Sequence, residues 1–81
     1  MSIEVSILEI LARRAPELVR EVPLRNALEI ELAEVVSLAS IKTKLRALEV
    51  SGDVTAIPNA DAGTKWTISD HGQARLARAK E

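Results

Sequence analysis

The stretch Ser37-Leu38-Ala39-Ser40-Ile41-Lys42-Thr43-Lys44-Leu45-Arg46-Ala47-Leu48-Glu49-Val50-Ser51-Gly52-Asp53-Val54 decides how this chain is read. Ser37 is a good N-cap, because its side-chain oxygen can accept an N–H of the first helical turn that has no partner within the helix. At about 100° per residue, Leu38, Ile41, Leu45 and Leu48 fall within one arc and give a helix over about 38–51 an apolar edge. The opposite arc holds Ala39, Ser40, Thr43, Arg46, Ala47 and Val50, with Lys42 and Lys44 at its flanks. No acid precedes Glu49 in this helix. Gly52 is a natural stop, since glycine takes the left-handed cap without strain. A capped helix with a basic outer side, running straight into a strand, is a candidate for contact with DNA.

Downstream, a strand is expected over about 53–57. A turn-rich tip follows (Pro58-Asn59-Ala60-Asp61-Ala62-Gly63), then a second strand over about 64–68. On the second strand Trp66 and Ile68 share one face, and Lys65 and Thr67 share the other. Sharing a face with Ile68 makes Trp66 a core residue rather than a surface for stacking bases. Ser69 or Asp70 can cap a last helix over about 70–79, and Asp70 with Gln73 has the spacing of a capping box.

Upstream, Ser2 can cap a first helix over about 3–15. Ile3, Ile7, Ile10 and Leu11 lie on one face, and Val5, Leu8 and Ala12 widen the stripe. So wide a stripe has two readings: the central helix of a small bundle, or a face for self-association. Pro16 disfavours helix at Ala15 and ends the element. The connector from Pro16 to Pro23 holds Leu18, Val19 and Val22, which could supply a short edge strand. A second helix is expected from Pro23 or Leu24 to Glu34, with Leu24, Leu28, Leu32 and Val35 as its buried line. Glu29, Glu31 and Glu34 make its other side acidic, and that side would turn away from a phosphate backbone.

At 81 residues the chain has room for a single domain, residues 1–81, with one core and no enclosed active-site cavity. Trp66 is the only aromatic, which argues against a platform that stacks single-stranded bases. Cysteine is absent, so disulfides, thiolate zinc sites and cysteine nucleophiles are excluded. No basic segment leads into an apolar run at the N-terminus and no long apolar stretch occurs, so a cytoplasmic protein without a membrane span is expected. The net charge of −1 hides an asymmetry. Residues 1–34 hold four bases and seven acids, residues 35–81 seven bases and five acids.

The order helix, helix, helix, hairpin, helix resembles the winged helix-turn-helix family of DNA-binding domains. One motif is Ser37-(x)3-Ile41-(x)3-Leu45-(x)2-Leu48-Glu49-(x)2-Gly52-Asp53-Val54, similar to the family's recognition helix. The other is Trp66-Thr67-Ile68-Ser69-Asp70-His71-Gly72, similar to an aromatic-x-aliphatic-Ser/Thr-x-x-Gly signature where the wing leads into the last helix. One departure concerns the turn before the recognition helix. It reads Glu34-Val35-Val36-Ser37, where the family often has a glycine.

The resemblance implies an α+β, mostly helical fold: a winged helix with a three-helix bundle, a β-hairpin wing and a C-terminal helix. It implies sequence-specific binding of double-stranded DNA by a small transcriptional regulator. The third helix would enter the major groove and the wing would touch the backbone. Lys42, Lys44 and Arg46 would then meet phosphates, Ser40 and Thr43 bases or phosphates, and Lys65 a phosphate from the wing. A homodimer through helix 1 would enlarge a small contact area. The alternative is a winged helix used as a protein-interaction module, favoured by the net acidity, the acidic second helix and the mildly apolar outer face of the third helix. His71 is the only histidine and, beside Ser69 and Asp70, reads as helix-start chemistry rather than a triad. No enzyme, metal site, cofactor or small-molecule substrate is expected.

Overall fold

A computed structural model describes residues 3–58 and 63–79. Its elements are α1 (Ile3–Arg14), β1 (Val19–Arg20), α2 (Glu21–Leu32), α3 (Leu38–Val50), β2 (Val54–Ile57), β3 (Lys65–Ile68) and α4 (Asp70–Ala79). Ser2, expected to cap α1, tip residues 59–62 and Lys80 lie outside the described residues. The strands form an antiparallel sheet in the order β1-β3-β2. This is the expected winged helix, with β1 added to the hairpin as the edge strand anticipated around Val19.

The wide apolar stripe of α1 has its explanation in the bundle. The helix packs against α2, α3, α4 and β3 at once. Ile7, Leu8 and Leu11 are wholly buried there, with Leu24 and Leu28 of α2 and Ile41 and Leu45 of α3. Exposing one such side chain again costs about 1.5–3 kcal/mol. The expected homodimer through helix 1 therefore loses its central surface, because Leu8 is 0% exposed within one protomer.

Helix α2 begins and ends earlier than the pattern suggests. Pro23 sits in its first turn rather than at its first position. Proline is tolerated there because N–H groups of the first turn have no intrahelical partner. The helix stops at Leu32 because Ala33 takes the left-handed conformation, φ +55°. Beyond that break helical spacing no longer governs. Val35, expected in the buried line, is 92% exposed, and Val36 is buried in its place. Glu29, read as part of a solvated acidic side, accepts the Val36 N–H at 2.9 Å and holds this turn.

A non-glycine residue in the left-handed region is strained by about 1–2 kcal/mol, partly offset by the greater chain entropy that glycine loses on folding. Ala33→Gly is expected to stabilise the domain by about 0.5–1 kcal/mol, or roughly 2–8 °C in a thermal melt. A fall in melting temperature would show that Ala33 is not held in this conformation.

Helix α3 is built as its sequence suggests. Ser37 Oγ accepts the Ser40 N–H at 3.1 Å. At the other end Gly52 has φ +86°. The Gly52 N–H reaches Glu49 O at 3.0 Å and the Asp53 N–H reaches Leu48 O at 2.9 Å. These two bonds close the last turn in the Schellman pattern, which needs a positive φ at Gly52. Trp66 and Ile68 face the core, as expected.

The cap of α4 is Ser69, not Asp70. Ser69 Oγ accepts the Gly72 N–H at 3.0 Å. The expected Asp70–Gln73 capping box is therefore out of register, and the third position after the true cap is glycine.

Candidate nucleic-acid interface

Burying Ile41, Leu45 and Leu48 turns the opposite side of α3 to solvent. Ser40, Lys42, Thr43 and Arg46 are all exposed there, with Ala39, Ala47 and Val50 among them. Thr43 Oγ1 donates to the Ala39 carbonyl at 3.0 Å. Its hydroxyl proton is thus engaged, and its oxygen can still accept.

Lys44 stands apart from this group. Its Nζ lies 3.2 Å from Glu4 Oε1, in a half-buried ion pair that ties α3 to the start of α1. Glu4 is held below the usual carboxylate range by a hydrogen bond from its own backbone and by the Lys44 hydrogen bond, against the opposing effect of burial. Arg13 is likewise engaged by Glu31 at 3.2 Å. Lys42 and Arg46 make no such bond among the described residues.

Lys65 lies on the sheet face away from the core. Its register partners are Ile57 on β2 and Arg20 on β1. Arg20 is exposed and makes no side-chain cap to α2, which it precedes. Nothing in the sequence marks Arg20, because a two-residue strand inside a connector has no periodicity to detect.

Thr64, just before β3, borders two open clefts. One is lined by Arg46 and Glu49 of α3 with Ala56, Pro58 and Trp66. The other is lined by Arg20, Glu21, Val22 and Pro23 with Gly63. The start of β3 therefore lies between an arginine of α3 and an arginine of β1.

A buried clasp fixes the base of the wing. Asp53, 1% exposed, follows directly on the end of α3. Its carboxylate accepts from Ser51 Oγ at 2.7 Å, Arg75 Nη1 at 2.5 Å and His71 Nδ1 at 2.7 Å. Its backbone carbonyl accepts the Ser69 N–H at 3.0 Å, and Ser69 Oγ donates to the Gly52 carbonyl. Both residues at the α3–β2 junction are thus bonded to the start of α4. Burial pushes the Asp53 carboxyl up, and the bonds from Ser51, Arg75 and His71 outweigh it and hold it below the usual range. His71, expected to serve only the start of the last helix, is exposed yet belongs to this clasp. Ser69, Asp70 and His71 do not form a triad: Ser69 caps the helix, and His71 points to Asp53. Among the described residues no three His, Asp or Glu side chains gather to hold a metal ion. Nor is any helix among them long and apolar enough to cross a membrane.

The fold is similar to that of H. salinarum RosR, with a TM-score of 0.86 and 16% identity over 98% of this chain and 69% of that one. RosR in its S4 complex matches equally, at 0.86 and 16%, over 98% and 66% of the two chains. A candidate transcriptional regulator from Thermoplasma acidophilum matches at 0.81 and 19% identity, over 93% of this chain and 71% of that one. The chain spans about two thirds of the length of these structures. At such identities the likeness concerns the fold. No protein-family model and no curated relative matches the sequence.

Proposed function

We propose that this domain binds double-stranded DNA sequence-specifically and regulates transcription in the cytoplasm by occupying its site. The observation that carries this reading is the outward face of α3. Lys42 and Arg46 stand there exposed and without an acidic partner among the described residues, beside Ser40 and Thr43. The winged-helix fold suits insertion of this helix in the major groove. Lys42 and Arg46 suit phosphates, and Ala39, Ala47 and the Thr43 methyl suit thymine methyls. One domain offers a small contact area, so a second copy or a partner subunit belongs to this reading. A homodimer would have to use a surface other than the buried Leu8 face of α1.

The test is fluorescence anisotropy with a mixed-sequence duplex over a range of salt. Each phosphate contact contributes roughly 0.9 to the salt slope. Lys42→Ala with Arg46→Ala is expected to lower the slope by about 2 and to weaken binding roughly 30-fold at physiological salt. Lys44→Ala is expected to leave the slope unchanged, since Glu4 already holds that lysine. Unaltered binding by the folded double variant would rule out this face.

A second reading, a protein-interaction module, draws on exposed apolar side chains. Val50 at the end of α3 is 84% exposed, and Val35 and Ile30 are similarly bare. Absence of any salt-sensitive DNA binding would move the assignment there.

A further inference from the structure

We infer that Arg20, with Lys65 beside it, is a second phosphate anchor, holding the DNA backbone on the side of the wing opposite Arg46; this rests on the DNA-binding reading above. The sheet register places Arg20 directly across from Lys65 on the face turned away from the core. Two like charges at adjacent strand positions repel, so the pairing gains nothing for the fold. An anion between them removes that repulsion. Neither side chain makes an ion pair among the described residues. Arg20 and Arg46 border the two clefts that meet at Thr64, so the start of β3 has a cation on each side. A sugar–phosphate strand passing over the outward face of the sheet there would meet Lys65 and then Arg20. Arginine suits the outermost position, since its planar fork can grip a phosphate with two parallel hydrogen bonds.

Glu21 and Glu49 also border these clefts. They set an opposing charge against each arginine, and this makes a signed test available. Removing the Glu21 charge must strengthen binding if a phosphate lies near Arg20.

The experiment is the salt-dependent anisotropy titration with the same mixed-sequence duplex, on wild type, Arg20→Ala, Arg20→Lys and Glu21→Gln. Circular dichroism confirms that each variant is folded. Arg20→Ala is expected to lower the salt slope by about 1 and to weaken binding roughly fivefold at physiological salt. Arg20→Lys keeps the slope, and Glu21→Gln tightens binding. A wild type that binds, together with an Arg20→Ala variant whose slope and affinity are unchanged, overturns the role of Arg20 and leaves the α3 interface standing. A wild type that shows no salt-dependent binding overturns both. Should Arg20→Ala and Arg20→Lys weaken binding alike without changing the slope, the arginine acts on the structure of β1 and not on a phosphate, and the inference fails.

Discussion

Replacing Gly72 by alanine is expected to lower the melting temperature by roughly 12–24 °C, a loss of about 3 kcal/mol for a domain of this size. The sign is not obvious from helix propensity. Alanine in place of glycine within a helix gains about 1 kcal/mol, so a clash must exceed that figure to destabilise at all. Here it does. A Cβ on Gly72 would lie 2.0 Å from the backbone oxygen of Asp53, 2.9 Å from its carbonyl carbon and 2.9 Å from Ile68 Cγ1. The Ile68 atom belongs to a side chain and can shift. The Asp53 carbonyl cannot easily do so, because it accepts the Ser69 N–H while the Asp53 N–H closes the end of α3. Moving it would undo the last turn of α3, the base of β2 and the cap of α4 together. A thermal melt of Gly72→Ala beside Gln73→Ala, an exposed neighbour on the same helix, isolates the effect. Gln73→Ala should stay within about 0.5 kcal/mol of wild type. An unchanged or raised melting temperature for Gly72→Ala would mean that α4 does not dock this closely on the wing.

That close approach also explains why the Trp66-x-Ile68-Ser69-x-x-Gly72 pattern could be read without knowing its purpose. The motif encodes a strand whose core-facing residues are Trp66 and Ile68, a serine that caps the next helix, and a glycine where two backbones touch. The strand alternation and the serine cap are local, and local features survive in sequence; the glycine is legible only by its place in the motif, because the backbone it approaches is that of Asp53. The same holds for α3. Its cap at Ser37, its buried edge and its stop at Gly52 all act within a few residues of one another. Ser40, Lys42, Thr43 and Arg46 were legible as a solvent face because they lie opposite that edge.

What could not be read depended on residues far apart in the chain. Lys44 looks no different from Lys42 until α1 brings Glu4 against it, 40 residues away in sequence. Arg20 looks like part of a linker until β1 pairs with β3. The end of α2 is not legible because nothing in the sequence around Ala33 announces a left-handed residue, as a glycine would. Glu29 then serves the turn that this break creates.

The Asp53 clasp, which also joins residues distant in sequence, sets the second large expectation. Asp53→Ala is expected to cost about 3 kcal/mol near neutral pH. Breaking a buried charge pair typically costs about 3–5 kcal/mol. The lower end applies because the Arg75 and His71 side chains are 41% and 61% exposed and can turn toward water once the carboxylate is gone. The pH dependence separates charge from packing. The Asp53 carboxyl is held below its ordinary value of about 4, with the bonds from Ser51, Arg75 and His71 overcoming the effect of burial. Its contribution to stability is therefore complete above that ordinary value and is lost as pH falls through the lowered folded-state value. Glu4 is depressed as well and adds a similar loss that does not involve Asp53. In urea unfolding at a series of acidic pH values, wild type should lose stability faster than Asp53→Ala, so that the gap between them narrows. Glu4→Gln should remove Glu4's own share of the acid loss, which Asp53→Ala retains. A gap that stays constant from neutral to acid pH would mean that the shape of Asp53, and not its charge, joins the wing to α4.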